Sequence, residues 1–114
     1  MSIVESLWDK EFFNGANGER MRILHQGEDY CLFYFIISGR VINHKHEKRN
    51  ENYLVVDGEG ILKVEGNKDL IVRKNHQFNI PSGVFHSLER ISGKPFELIV
   101  GVEREYDPSD IVYC

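Results

Sequence analysis

The sequence predicts an all-β domain, a barrel or sandwich of short strands, and three observations carry that expectation. Val and Ile supply 21 of the 114 residues while Ala appears once, which favours strands because β-branched side chains lose rotamer freedom in a helix and pack well on a pleated surface. Short β-prone runs recur at roughly 8–12-residue spacing. Turn signals rich in Gly, Pro, Asn and Asp lie between them. At this length one hydrophobic core is expected and a second would not fit.

Taken in order, residues 1–19 mix Trp8, Phe12 and Phe13 with Asn14-Gly15-Ala16-Asn17-Gly18 and read as an irregular arm that packs its aromatics onto the domain of residues 20–114. Strands are predicted at Arg20–His25, Tyr30–Ser38, Asn52–Val56, Ile61–Glu65, Leu70–Arg73, Phe78–Ile80, Phe85–Glu89 and Phe96–Glu103. The turns between them include Gly27-Glu28-Asp29, Asp57-Gly58, Gly66-Asn67-Lys68-Asp69, Pro81-Ser82-Gly83 and Ser92-Gly93-Lys94-Pro95, each with a residue that tolerates positive φ or fixes φ near that of a turn. A short helical turn over Pro108–Val112, capped by Asp107 or Ser109, follows the last strand.

Composition excludes several partners. With 14 Lys plus Arg against 18 Asp plus Glu, the net charge is −4, and no basic cluster is large enough to coat a phosphate backbone, so no nucleic acid is expected. The longest apolar run, Cys31 to Ile37, is far short of a membrane span, and Met1 to Glu5 has neither the basic start nor the apolar region of a signal peptide. Cys31 and Cys114 stand far apart without a C-x-x-C spacing and read as free thiols of a reducing compartment, hence the cytoplasm.

The chemistry concentrates in four residues. His44 and His46 are two apart in a β-prone context, so on a strand they share a face. Glu51 would point the opposite way on an unbroken strand; the polar stretch Glu47-Lys48-Arg49-Asn50 must bend for it to join them. His86 follows the Pro81–Gly83 turn. Three imidazoles and a carboxylate suit one divalent transition metal, whether Zn, Mn, Co, Ni or Fe, and leave coordination positions open for water or substrate, the pattern of a catalytic site. Strand alternation turns Lys45 outward and Tyr53 inward beside Glu51. His25, His76, Arg90 and Lys94 read as ordinary solvated or satisfied polar residues.

The spacing H-x-H-x4-E-x6-G, met by His44, His46, Glu51 and Gly58, resembles the first motif of the cupin superfamily, and P-x-G-x2-H, met by Pro81, Gly83 and His86, resembles the second. Asn75 and Arg90 depart from the longer pattern, standing where a Gly and an Asn are common, but neither is a ligand. A narrower resemblance extends from Trp8 to Val112. His44-x-His46-x2-Arg49-x-Glu51-x-Tyr53, Ile80-Pro81-x-Gly83-x2-His86-x-Leu88-Glu89, Pro95-x-Glu97-Leu98-Ile99 and Asp110-Ile111-Val112 are similar to the cupin domain of type II mannose-6-phosphate isomerases. That domain usually follows a nucleotidyltransferase domain. Ile42 and Ser87 differ from the Gln and Arg common in that family.

The resemblance implies a small double-sheet β-barrel of the jelly-roll or cupin type, a homodimer, and a metal held by His44, His46, Glu51 and His86. It also implies a small-molecule substrate of the sugar-phosphate class, isomerised between aldose and ketose, with Arg49 beside the metal as a catalytic residue acting on developing negative charge. The residues alone leave two alternatives: an Fe(II)-dependent cupin dioxygenase, and a non-catalytic cupin that binds a sugar or other small molecule. They single out no general base.

Overall fold

The computed structural model describes residues 11–15, 17–104 and 107–113, and every regular element among them is a strand. These are β1 (Phe13–Asn14), β2 (Arg20–Gln26), β3 (Cys31–Ile37), β4 (Arg40–Lys45), β5 (Glu51–Asp57), β6 (Glu59–Val64), β7 (Leu70–Arg73), β8 (Gln77–Ile80), β9 (His86–Arg90), β10 (Phe96–Val102) and β11 (Val112–Tyr113). They form two sheets, ordered β1-β2-β3-β10-β5-β8 and β11-β4-β9-β6-β7, with antiparallel ladders throughout. From β3 onward the chain passes back and forth between the sheets, the winding of a jelly roll. The expected all-β class and double-sheet architecture hold. The two sheets are not closed by hydrogen bonds into one continuous barrel among the described residues.

Alternation builds the core. In β10, Phe96, Leu98, Val100 and Val102 are buried while the residues between them are half-exposed; in β5 the inward positions are Glu51, Tyr53 and Val55. Ile37, Val55, Leu62, Leu88, Phe96, Leu98 and Val100 pack into the larger apolar cluster, and Met21, Cys31, Phe33 and Val102 form a smaller one. Strand β5 therefore runs from polar inward residues at its start to core residues further on. Cys31 is a buried free thiol; Cys114 and Trp8 lie outside the described residues.

All eight predicted strands overlap observed ones, and three strands were not expected. In β4 only Val41 and His44 turn fully inward, and a register shift between Val41 and His44 in its pairing with β9 breaks the alternation that would mark it. β1 makes the end of the arm regular: Phe13 and Asn14 pair with Met21 and Arg20, and Phe12 lies under the guanidinium groups of Arg20 and Arg22. The predicted helical turn at Pro108–Val112 is absent. Asp107 does cap, accepting hydrogen bonds from the Ser109 backbone N–H at 3.0 Å and from its hydroxyl, but the turn leads into β11, which pairs with His44 and Lys45 on the open side of β4.

Gly58 joins β5 to β6 at φ 77°, and a Cβ there would lie 2.4 Å from the carbonyl oxygen of Pro95. Both backbone strain and overlap with a main-chain atom penalise any other residue. Gly58→Ala is expected to destabilise the fold by about 2–4 kcal/mol in urea unfolding. Asn75, also at positive φ (73°), tolerates Gly in the same assay with a change under about 1 kcal/mol.

Candidate metal centre

Three elements deliver the four residues. β4 carries His44 and, just beyond its end, His46; β5 begins with Glu51; β9 begins with His86. His44 and His86 are directly opposite in the β4–β9 ladder, which brings their rings to 4.4 Å between centroids, while His46 stands edge-on to His44 at 4.9 Å. The bend expected over Glu47–Asn50 is present, and it turns Glu51 inward. One ligand atom from each of the four lies within 4.8 Å of the others, and all four residues are at most 6% exposed.

Hydrogen bonds settle what these atoms offer. His44 Nδ1 is 2.7 Å from the carbonyl oxygen of Ile42 and His86 Nδ1 is 3.0 Å from that of Val84; His46 Nδ1 bonds the carbonyl oxygen of Asp110. A carbonyl only accepts, so each Nδ1 carries a proton, and each ring in its neutral form turns an Nε2 lone pair the other way. Glu51 Oε1 lies 3.2 Å from His46 Nε2 and 3.3 Å from His86 Nε2, and His86 Nε2 has no hydrogen-bond partner although it is buried. Lone pairs facing one another at such distances in a dry site require a proton or a cation among them. Three imidazole nitrogens and a carboxylate are the donor set of a divalent transition metal, so the residues present fit such an ion.

The surroundings prepare the same protonation states. Burial, reinforced by the neighbouring His86 and His46, pushes His44 down to about 4. Burial would raise Glu51, but its contacts with His46 and His86 and the Arg49 charge hold it well below the usual carboxylate range. Tyr53 moves the other way: burial and the Glu51 charge keep its phenol protonated, and it donates to Glu51 Oε1 at 2.9 Å. The site thus holds a carboxylate and at least one firmly neutral imidazole near neutral pH, as metal ligation requires.

A cavity of about 300 Å³ opens onto His44, His46 and Glu51. Met21, Phe33, Phe35 and Val102 supply apolar wall, and Glu19, Arg49 and Tyr113 bring polar groups to it. Arg49 is only 10% exposed; its Nη2 lies 3.6 Å from Glu51 Oε2 and 3.3 Å from His46 Nε2, and its Nη1 donates to the carbonyl of Asp107 at 3.3 Å. Lys45 turns outward to Glu47 and the Phe85 ring, and Tyr53 turns inward, both as expected. Arg90 and Lys94 lie away from the cavity, bonded to Gly93 and Asp57. His25 stacks on Tyr30 and His76 accepts from the Arg73 N–H.

Sequence reasoning missed two contributors. Asp110 entered only as part of a matching stretch, yet its buried carboxylate accepts from the backbone N–H groups of Glu47 and Lys48 at 2.9 and 3.1 Å, and its carbonyl orients His46. Glu19 received no role although it lines the cavity. Both come from segments remote in sequence from the ligands, beyond the reach of local spacing.

Comparison with known proteins agrees with this geometry. Residues 33–102 match the cupin domain family. No curated protein sequence matches the chain. Among solved structures, a protein from Planctomyces limnophilus aligns at 21% identity over 99% of this chain and 97% of its own, with a TM-score of 0.82. Streptomyces Pac13, solved with uridine, aligns at 12% identity over 100% and 92% with a TM-score of 0.80. KdgF from Halomonas sp. aligns at 16% identity over 86% and 90% with a TM-score of 0.74. These likenesses establish the fold.

The depressed His44 pKa has a testable consequence for the metal-free protein. The unfolded chain takes up this proton near pH 6.5 and the folded one only near pH 4, so stability is intact above about 6.5 and falls as the pH drops toward 4. The expected loss is on the order of 2–3 kcal/mol. Urea unfolding of chelator-treated protein across this range measures it, and His44→Gln should flatten that part of the profile.

Proposed function

The chain belongs to the cupin family, and from that premise we propose that it is a metal-dependent aldose–ketose isomerase of the mannose-6-phosphate isomerase kind, binding one divalent transition metal through His44, His46, Glu51 and His86. The observation that carries this reading is the convergence of three imidazoles and the Glu51 carboxylate, of which His44, His46 and Glu51 line a cavity large enough for a single sugar. A metal bound there supplies Lewis acidity to adjacent carbonyl and hydroxyl oxygens, the chemistry that stabilises charge when a proton leaves the carbon next to a carbonyl.

The chain's own residues do the rest. Arg49 places a permanent positive charge at the edge of the cluster, where it attracts the negative charge that builds on substrate oxygen. Tyr53 holds Glu51 in one orientation. The apolar wall excludes water from the reacting carbons and strengthens these interactions. A small hydroxylated ligand also fits the likeness to Pac13, whose structure holds uridine. Arg49 is the cation among the described lining residues, so a phosphate group depends on it alone and an unphosphorylated aldose is the alternative substrate. A cytoplasmic homodimer belongs to the same reading, supported by the buried free thiol of Cys31 and by the exposed Leu54 next to Ile99 on the outer face of the larger sheet.

Protein expressed with Fe, Mn, Ni, Co and Zn available is expected to carry about one divalent ion per chain by elemental analysis, and His46→Ala or His86→Ala to lose most of it. Chelation should lower the melting temperature yet leave the β circular dichroism signal at 25 °C, because the apolar clusters make a core without the metal.

The metallated protein should interconvert mannose 6-phosphate or mannose with the corresponding ketose. Arg49→Ala should lower kcat by about a hundredfold with a smaller effect on KM, and Arg49→Lys should restore part of it. No turnover of either sugar, together with oxygen uptake by the Fe form, would replace the isomerase with a dioxygenase. Silence in both assays would leave a binding module.

A further inference from the structure

An aldose–ketose isomerase needs a group that carries a proton between neighbouring carbons, and the cavity wall holds few groups able to do so. Glu51 and the three histidines are committed to the metal in the reading proposed above. The Arg49 guanidinium is permanently protonated. Tyr53 keeps its proton and donates it in a hydrogen bond to Glu51, and Tyr113 brings a phenol rather than a carboxylate. Among the described lining residues, Glu19 is the carboxylate that does not belong to the cluster.

Its position is built by the turn between β1 and β2. The Gly15 N–H donates to the Glu19 carbonyl at 2.8 Å and the Gly18 N–H to the Gly15 carbonyl at 3.1 Å. The Asn17 N–H donates to Glu19 Oε2 at 3.0 Å, which anchors one carboxylate oxygen. The side chain folds back across Gly15 so closely that a Cβ on Gly15 would fall 1.7 Å from Glu19 Oε1. Only a residue without a side chain leaves that path open. The turn opens onto the same cavity as the ligands, since Asn14, Gly15 and Asn17 also line it. The Glu19 charge reaches Tyr53, where it adds to the larger effects of burial and Glu51 in keeping the phenol protonated.

We propose that Glu19 is the general base of the isomerisation, a catalytic residue held across Gly15 and Asn17 on the side of the cavity formed by the β1–β2 turn. This assignment rests on the isomerase reading. The Glu19 carboxylate takes the proton from C2 of the open-chain aldose. The C2–H electron pair becomes the C1=C2 double bond, and the carbonyl pair moves onto O1. Glu19 then returns its proton to C1 while the O2 hydroxyl proton is lost and O1 gains one, leaving a carbonyl at C2. No electron acceptor is consumed.

The test incubates the metallated wild type, Glu19→Gln, Glu19→Asp and Gly15→Ala in D2O with mannose 6-phosphate and with mannose, following ketose formation and deuterium at C1 and C2 by NMR, with metal content and circular dichroism measured on each. Glu19→Gln should keep its metal and its fold, lose about a hundredfold or more in kcat and deuterium exchange, and change KM little. Glu19→Asp should recover part of the rate. Gly15→Ala leaves the carboxylate chemically intact but displaces it, and should cost about tenfold or more in kcat at unchanged metal content. A Glu19→Gln protein that isomerises within about twofold of wild type overturns the assignment while the isomerase reading stands. A metallated wild type that neither isomerises nor exchanges either sugar overturns both.

Discussion

Three imidazoles and a carboxylate cannot be crowded into a dry space unless something dictates which nitrogen of each ring faces inward. Here three backbone carbonyls do so, those of Ile42, Val84 and Asp110. None comes from an uninterrupted ladder. Ile42 lies where the β4–β9 register slips, Val84 lies in the link between β8 and β9, and Asp110 lies in the return segment before β11. Each irregularity frees a carbonyl that a regular sheet would have used in its own ladder. The departures of this fold from ideal β geometry are thus the places where the orientation of the three imidazoles is decided, the role that second partners of metal-binding histidines play in general.

Asp110 ties two of these requirements together. Its carbonyl orients His46, and its carboxylate satisfies the Glu47 and Lys48 N–H groups left unpaired where the chain turns from β4 toward β5. That bend is what brings Glu51 to the same side as His46 and presents Arg49 beside them. Loss of the Asp110 side chain would therefore disturb a carboxylate, an arginine and an imidazole that it does not touch through its own carboxylate. The remainder of β5 anchors the arrangement: Tyr53 fixes Glu51 by a hydrogen bond, and Val55, fully buried in the core, fixes the strand.

Most of the fold was legible because its signals are local. Alternating apolar positions mark β5 and β10, and Gly- or Pro-bearing turns mark their ends. The candidate metal cluster was legible for the same reason, since His44, His46 and Glu51 fall within eight residues and His86 follows a recognisable turn. Asn75 shows how a motif position can change residue without changing geometry: it takes φ 73° where a Gly is common, and Asn is among the residues that tolerate it best. What stayed hidden depends on contacts between distant segments. β4 carries its ligand next to a register slip and so lacks a periodic signature. Asp107 was read as a helix cap because a carboxylate accepting from an N–H two residues on looks the same in sequence whether a helix or a strand follows.

The distribution of the cavity wall between two kinds of segment bears on specificity. Its floor comes from β4, β5 and β9, strands locked into ladders and the core, whereas polar groups at its sides come from the β1–β2 turn, the β4–β5 bend and the short terminal strand β11. In the proposed reading, floor residues would set what kind of ion binds and how it polarises oxygen; they say little about which molecule brings that oxygen. Discrimination among small hydroxylated molecules has to come from groups such as Glu19, Asn17 and Tyr113. Turns such as the one that carries Asn17 and Glu19 can change sequence without disturbing the ladders beneath them, so a shared floor is compatible with different substrates in chains of this fold.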